Sequence, residues 1–214
     1  MPARARRAPA TFVADAQKRP MTVAIDVALL LDPKAKALAA GLNERTVPAG
    51  PDGFRFDAHH LPHVTLGQHF VEESALDAIG AALVPLARIA SKVVFDVTGI
   101  ERGRTAQVLT ISSTAPLDAL HTAVMEVMHP FEVNEGDAAA FATSPAARPA
   151  DVAWVRDFRT AAAYERFHPH ITIGIGGPLL AAVPFRAHPD RMGICRLGRF
   201  CTCGKPIAAW TLGT

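Results

Sequence analysis

Apolar runs separated by turn signals organise the chain into alternating strands and helices. Thr22 to Leu31 is nearly continuous in Val, Ala, Ile and Leu, with Asp26 as its one charged position, and reads as a buried strand. Asp32-Pro33 follows, an N-cap acceptor with proline at the first helical position. It predicts a helix to about Leu42, with Leu38 and Leu42 on its inner side. A turn-rich stretch (Pro48, Gly50, Pro51, Gly53) leads through Phe54-Arg55-Phe56 to a second strand. A second helix begins near Ser74, with Leu76, Ile79, Leu83 and Leu86 as its buried stripe, and Pro85 predicts a kink or break in it. Alternation from Lys92 to Ile100 predicts a third strand.

The second half repeats this order. Ala106 to Ile111 reads as a strand, and a helix from about Pro116 carries Leu117, Leu120, Val124, Val127 and Met128 at helical spacing. Glu132 to Ala150 is poor in large apolar residues and reads as a long loop. Trp154 to Phe158 is expected to be a strand, followed by another around His170. Leu179 to Ala187, interrupted by Pro184, is a poor helix candidate. Ile194 to Leu212 suggests a closing hairpin turning at Gly204-Lys205-Pro206. Two halves of matching order, roughly 21–103 and 104–214 and intertwined, point to one internally duplicated domain over 21–214.

At 214 residues the chain can bury a substantial core. No apolar run is long enough to cross a bilayer. The formal charge of +2 is too small to argue for indiscriminate nucleic-acid binding by the whole protein. Arg4, Arg6 and Arg7 mark residues 1–20 as a flexible basic leader without the apolar stretch of a secretory signal. Three cysteines, Cys195, Cys201 and Cys203, form neither a disulfide framework nor a CxxC pair. Cys201 and Cys203 are expected on one face of a strand as buried thiols, in a reducing cytoplasm.

One phrase occurs twice: Pro62-His63-Val64-Thr65-Leu66-Gly67 and Pro169-His170-Ile171-Thr172-Ile173-Gly174, with the histidines 107 positions apart (170 − 63). On a strand, His63, Thr65 and Gly67 share one face and Val64 and Leu66 the other; the second copy behaves alike, with His168 joining the polar face. Each closing glycine is expected to leave room for a ligand near the backbone. Paired histidines can supply both a base and an acid near neutral pH, and a threonine hydroxyl can donate to a phosphate oxygen.

The two phrases resemble the paired His-x-[Ser/Thr]-x motifs of the two-histidine phosphoesterase superfamily, which includes 2′-5′ RNA ligase-like proteins and cyclic phosphodiesterases. That resemblance implies an α+β fold, bilobal and internally duplicated, with two antiparallel sheets flanked by helices and an active-site cleft between the lobes. It implies metal-independent chemistry, with no cofactor, on 2′,3′-cyclic phosphates or 2′-5′ linkages of RNA ends or small nucleotides. His63 and His170 would be the acid–base pair, and Thr65 and Thr172 the phosphate-oxygen donors. Gln68, Arg159, Tyr164 and His168 are further substrate-binding candidates. The expected protein is a monomer without membrane attachment. Two rival readings are a nucleotide- or RNA-binding module without turnover, and a zinc hydrolase built from His59, His60, His63, His168 and His170.

Overall fold

The structure, a computed structural model, describes residues 21–46, 53–103, 106–142 and 145–213. The leader 1–20 and the turn residues Pro48, Gly50 and Pro51 lie outside the described residues. Among those described, eight strands are β1 (Thr22–Leu31), β2 (His63–Glu72), β3 (Phe95–Arg102), β4 (Ala106–Ile111), β5 (His170–Ile175), β6 (Phe185–Ala187), β7 (Pro189–Leu197) and β8 (Cys203–Thr211). The four α-helices are α1 (Pro33–Glu44), α2 (Leu76–Ala90), α3 (Ala115–Met128) and α4 (Pro149–Ala161). No helix among the described residues is long and apolar enough to cross a membrane.

The strands form two four-stranded antiparallel sheets, ordered β2-β1-β7-β8 and β5-β4-β3-β6. Each sheet draws strands from early and late in the chain: β7 and β8 join β1, while β3 joins β4. The two phrases therefore lie on β2 and β5, an edge strand of each sheet. Alternate residues of β1 (Val23, Ile25, Val27, Leu29) enter a core with Val64, Leu66, Ile79, Leu83, Leu117, Leu120 and Val124. Phe95, Leu109, Ile171 and Ile173 of the second sheet belong to the same core. Burying each such side chain contributes about 1.5–3 kcal/mol, so the core holds both sheets together.

Both phrases carry a bulge at the same place. In β2, Thr65 faces Ala28 and Gly67 faces Val27, which leaves Leu66 as the extra residue. In β5, Thr172 faces Val108 and Gly174 faces Gln107, which leaves Ile173 extra. A bulge leaves a residue outside the regular ladder. A buried polar side chain bonds each bulged carbonyl: His121 Nδ1 meets Leu66 O at 2.7 Å, and Asn43 Nδ2 donates to Ile173 O at 2.8 Å. Helix α1 thus braces β5, and α3 braces β2.

Several expectations change. Residues 154–158 are helical: Pro149 starts α4, Asp151 accepts from the Arg148 amide at 2.8 Å, and the buried Asp151, Val155 and Phe158 recur at helical spacing. Helix α2 runs unbroken through Pro85. On α1 the inner residues are Ala35, Ala39 and Asn43, while Leu38 is exposed. Residues 179–184 are not helical, in keeping with their poor helical pattern, whereas 185–187 form the short strand β6. The last hairpin turns at 198–202, with Phe200 and Cys201 at φ of 64° and 53°. Pro206 lies within β8, where an edge position and an irregular register tolerate its missing N–H. Cys201 falls in that turn, so the buried thiol beside Cys203 is Cys195 instead.

Candidate active site

The phrases face each other because β2 and β5 approach within 8 Å between Cα atoms. Val64, Leu66, Ile171 and Ile173 are fully buried, whereas His63, Thr65, His170 and Thr172 on the opposite faces are partly exposed. Each histidine is held by the carbonyl two residues earlier, across the proline: His63 Nδ1 to Leu61 O at 2.7 Å and His170 Nδ1 to His168 O at 2.8 Å. A carbonyl accepts and never donates, so Nδ1 carries the hydrogen. Nε2 of each ring is then the atom available for proton exchange.

The symmetry ends at Asp26. This carboxylate is wholly buried on β1, and its Oδ2 accepts from Thr65 Oγ1 at 2.7 Å and from Gln68 Nε2 at 2.8 Å. His63 Nε2 lies 3.5 Å from the same oxygen. Burial by itself would lower the His63 pKa, but the bond and negative charge of Asp26 outweigh it and hold the imidazole above its ordinary value. His170 shows the reverse: burial depresses it, and the nearby His63 and His168 depress it further. Ala106 pairs with Ile175 at the place in the second sheet where Asp26 pairs with Gln68 in the first. The cleft therefore holds one imidazole whose pKa is raised and one whose pKa is lowered.

In the sequence Asp26 stands only as an interruption of an apolar run; a single charge in an otherwise apolar strand is the available signal. Strand alternation puts Gly67 on Thr65's face, but the bulge turns Gly67 toward the core and brings Gln68 to Thr65's side. Neither glycine makes room for a ligand. A Cβ on Gly67 would lie 2.6 Å from His69 Nε2, and one on Gly174 would lie 2.6 Å from the Thr46 side chain.

The remaining candidates are dispersed. Gln68 is buried against Asp26, and its Oε1 has no partner among the described residues. His168 is exposed and contributes its carbonyl to His170. Arg159 engages both Glu132 oxygens, the Met125 carbonyl at 2.7 Å and the Tyr164 hydroxyl. Tyr164 OH also donates to Glu126 at 2.7 Å, and His69 Nδ1 meets Glu132 at 2.7 Å. None of the bonds made by Arg159, Tyr164 and His69 reaches His63 or His170. Thr65's hydroxyl proton is directed at Asp26, whereas Thr172 makes no side-chain hydrogen bond among the described residues.

Asp26, His63 and Cys203 place an oxygen, a nitrogen and a sulfur within 4.8 Å of one another. This differs from the five-histidine set, in which His60 is paired with Asp57 at 3.0 Å. Burial first, then Cys195 and Asp26, raise the Cys203 thiol well above its ordinary pKa.

A family model described as the 2′-5′ RNA ligase superfamily matches residues 37–187. Similar solved structures include TT0787 of Thermus thermophilus, at 14% identity and a TM-score of 0.54, covering 89% of this chain and 98% of that one. Another is LigT of E. coli complexed with phosphate, at 14% identity and a TM-score of 0.47, covering 91% and 99%. No curated protein matches the chain. The likeness to TT0787 agrees with the two-sheet α+β architecture.

Proposed function

The chain belongs to the 2′-5′ RNA ligase superfamily, and from that premise we propose that it is a metal-independent phosphoesterase hydrolysing 2′,3′-cyclic phosphates or 2′-5′ linkages of RNA ends or nucleotides. The observation that carries the reading is the paired Nδ1–carbonyl anchoring of His63 and His170, with a carboxylate beside His63 alone. His170, kept neutral, takes a proton at Nε2 from the attacking water. His63, kept protonated beside Asp26, delivers the proton at Nε2 to the leaving ribose oxygen. The P–O bond to the ribose breaks as the P–O bond to water forms, and the two histidines exchange protonation states. Thr172 donates to a non-bridging oxygen; Thr65 does so when its proton swings away from Asp26. The free, buried Cys195 and Cys203 fit a reducing compartment, the cytoplasm in this reading.

The test is turnover of 2′,3′-cyclic nucleotides with a chelator present, alongside His63→Ala and His170→Ala. The proposal expects activity that survives chelation and falls at least about a hundredfold in each variant. Activity abolished by the chelator would point to metal chemistry. Binding without turnover across cyclic and 2′-5′ substrates would leave a binding module.

A further inference from the structure

A cavity of about 210 Å³ opens beside the catalytic cleft, between the turn at 57–60 and the β7–β8 connection. Among the described residues, its charged or titratable lining residues are His59, His60, Arg196, Arg199 and Lys205, with no carboxylate. The space equals several waters at about 30 Å³ each, enough for a phosphate group. Resting on the phosphoesterase reading, we propose that this cavity is an anion subsite that takes a second phosphate of the substrate.

The site is built rather than merely basic. His60 stacks on Phe54 (5.7 Å between ring centres, 16° between planes), and its Nδ1 meets Asp57 Oδ1 at 3.0 Å, which fixes the ring in the cavity wall. Arg199 is positioned over the Phe200 ring at 5.1 Å and donates to the Ala146 carbonyl at 3.3 Å. Nε of Arg196 is buried with no hydrogen-bond partner among the described residues. An orphaned donor on a cationic group is costly, and an anionic oxygen is the acceptor that relieves the cost.

Cavity and cleft share a wall. The Leu61 amide donates to Cys203 O at 2.7 Å, and the Leu61 carbonyl anchors His63. His60 and Gly204, which line the cavity, are the chain neighbours of that bridge. A substrate with its reacting phosphate at His63 and His170 can therefore reach across Leu61 with another phosphate. That second group is either the next phosphodiester of an oligonucleotide or a terminal phosphate of a small nucleotide.

Three substrates separate these sources: a 2′,3′-cyclic mononucleotide, a 2′,3′-cyclic nucleotide bearing a 5′-diphosphate, and a pentaribonucleotide ending in a 2′,3′-cyclic phosphate. In R196A/K205A the KM for whichever substrates use the subsite should rise about tenfold with kcat unchanged. The cyclic mononucleotide should be turned over as by the parent protein. An equal change for all three, or none, would overturn the proposal. The pattern of loss identifies the source of the second phosphate. If no substrate is turned over, the phosphoesterase reading fails by itself. The subsite is then tested by fluorescence anisotropy with a labelled pentaribonucleotide carrying a 3′-phosphate. Weaker binding by the double variant, with a shallower salt dependence, supports it; equal binding overturns it.

Discussion

Asn43 and His121 are counterparts. Each is a buried polar side chain on the helix that follows β1 or β4, and each bonds the carbonyl of the bulged residue in the other phrase, Ile173 for Asn43 and Leu66 for His121. Each does more than one task. Asn43 Oδ1 accepts from the Phe56 amide at 3.0 Å. His121 Nε2 accepts from the Tyr164 amide at 2.8 Å while its ring stacks on Phe167 at 3.9 Å. Each phrase-bearing strand is thus braced from outside its own phrase.

Removing either brace leaves a buried carbonyl without its partner, at a cost of about 1–3 kcal/mol. Denaturant unfolding of Asn43→Ala and His121→Ala should show losses of this size, with no change in m. Stability equal to the parent in both would refute the brace.

The opposite shifts of His63 and His170 predict a bell-shaped dependence of kcat/KM on pH. Deprotonation of His170 sets the acid limb, below the ordinary imidazole value, because its pKa is lowered. Loss of the His63 proton sets the alkaline limb, above that value, because its pKa is raised. Asp26→Asn should move the alkaline limb to lower pH and leave the acid limb largely in place. Movement of both limbs together would contradict the assignment.

Thr65 and Thr172 should not be equivalent. Thr172→Ala removes a hydroxyl with no competing acceptor among the described residues and is expected to lower kcat by about a hundredfold, as for loss of one oxyanion donor. Thr65→Ala removes a donor to Asp26 and should chiefly displace the alkaline limb. Steady-state kinetics against pH distinguish the two; identical profiles for both variants would count against this division of labour.

Glu132 predicts an acid-stability window. Burial would raise its pKa, but His69 and Arg159 outweigh that and hold it at about 2, against an ordinary 4.5. Because the folded value is depressed, the stabilisation is present above about pH 4.5 and is lost as pH falls toward 2. The difference is on the order of 3 kcal/mol. Unfolding measured from pH 6 to 2 should lose that amount in the parent and less in Glu132→Gln. Parallel curves would exclude Glu132 as the source.

By itself the sequence determined what depends on neighbours along the chain. It determined the strand at Thr22–Leu31 and the helix start at Asp32-Pro33. Alternation within the two phrases sets His63 and Thr65 apart from Val64 and Leu66, because strand periodicity acts over two residues. It failed where a local pattern had a competing explanation: Trp154–Phe158 looked extended, although the burial of Asp151, Val155 and Phe158 makes it helical. Tertiary structure alone decided the asymmetry of the site. Asp26 reaches Thr65 across 39 positions and His121 reaches Leu66 across 55, pairings set by strand order and register. The bulges at Leu66 and Ile173 reversed the parity after each phrase, turning Gly67 inward and Gln68 toward Asp26. A repeat in the sequence made the two histidines look equivalent. A buried charge on a neighbouring strand, acting through space at low dielectric, makes them different.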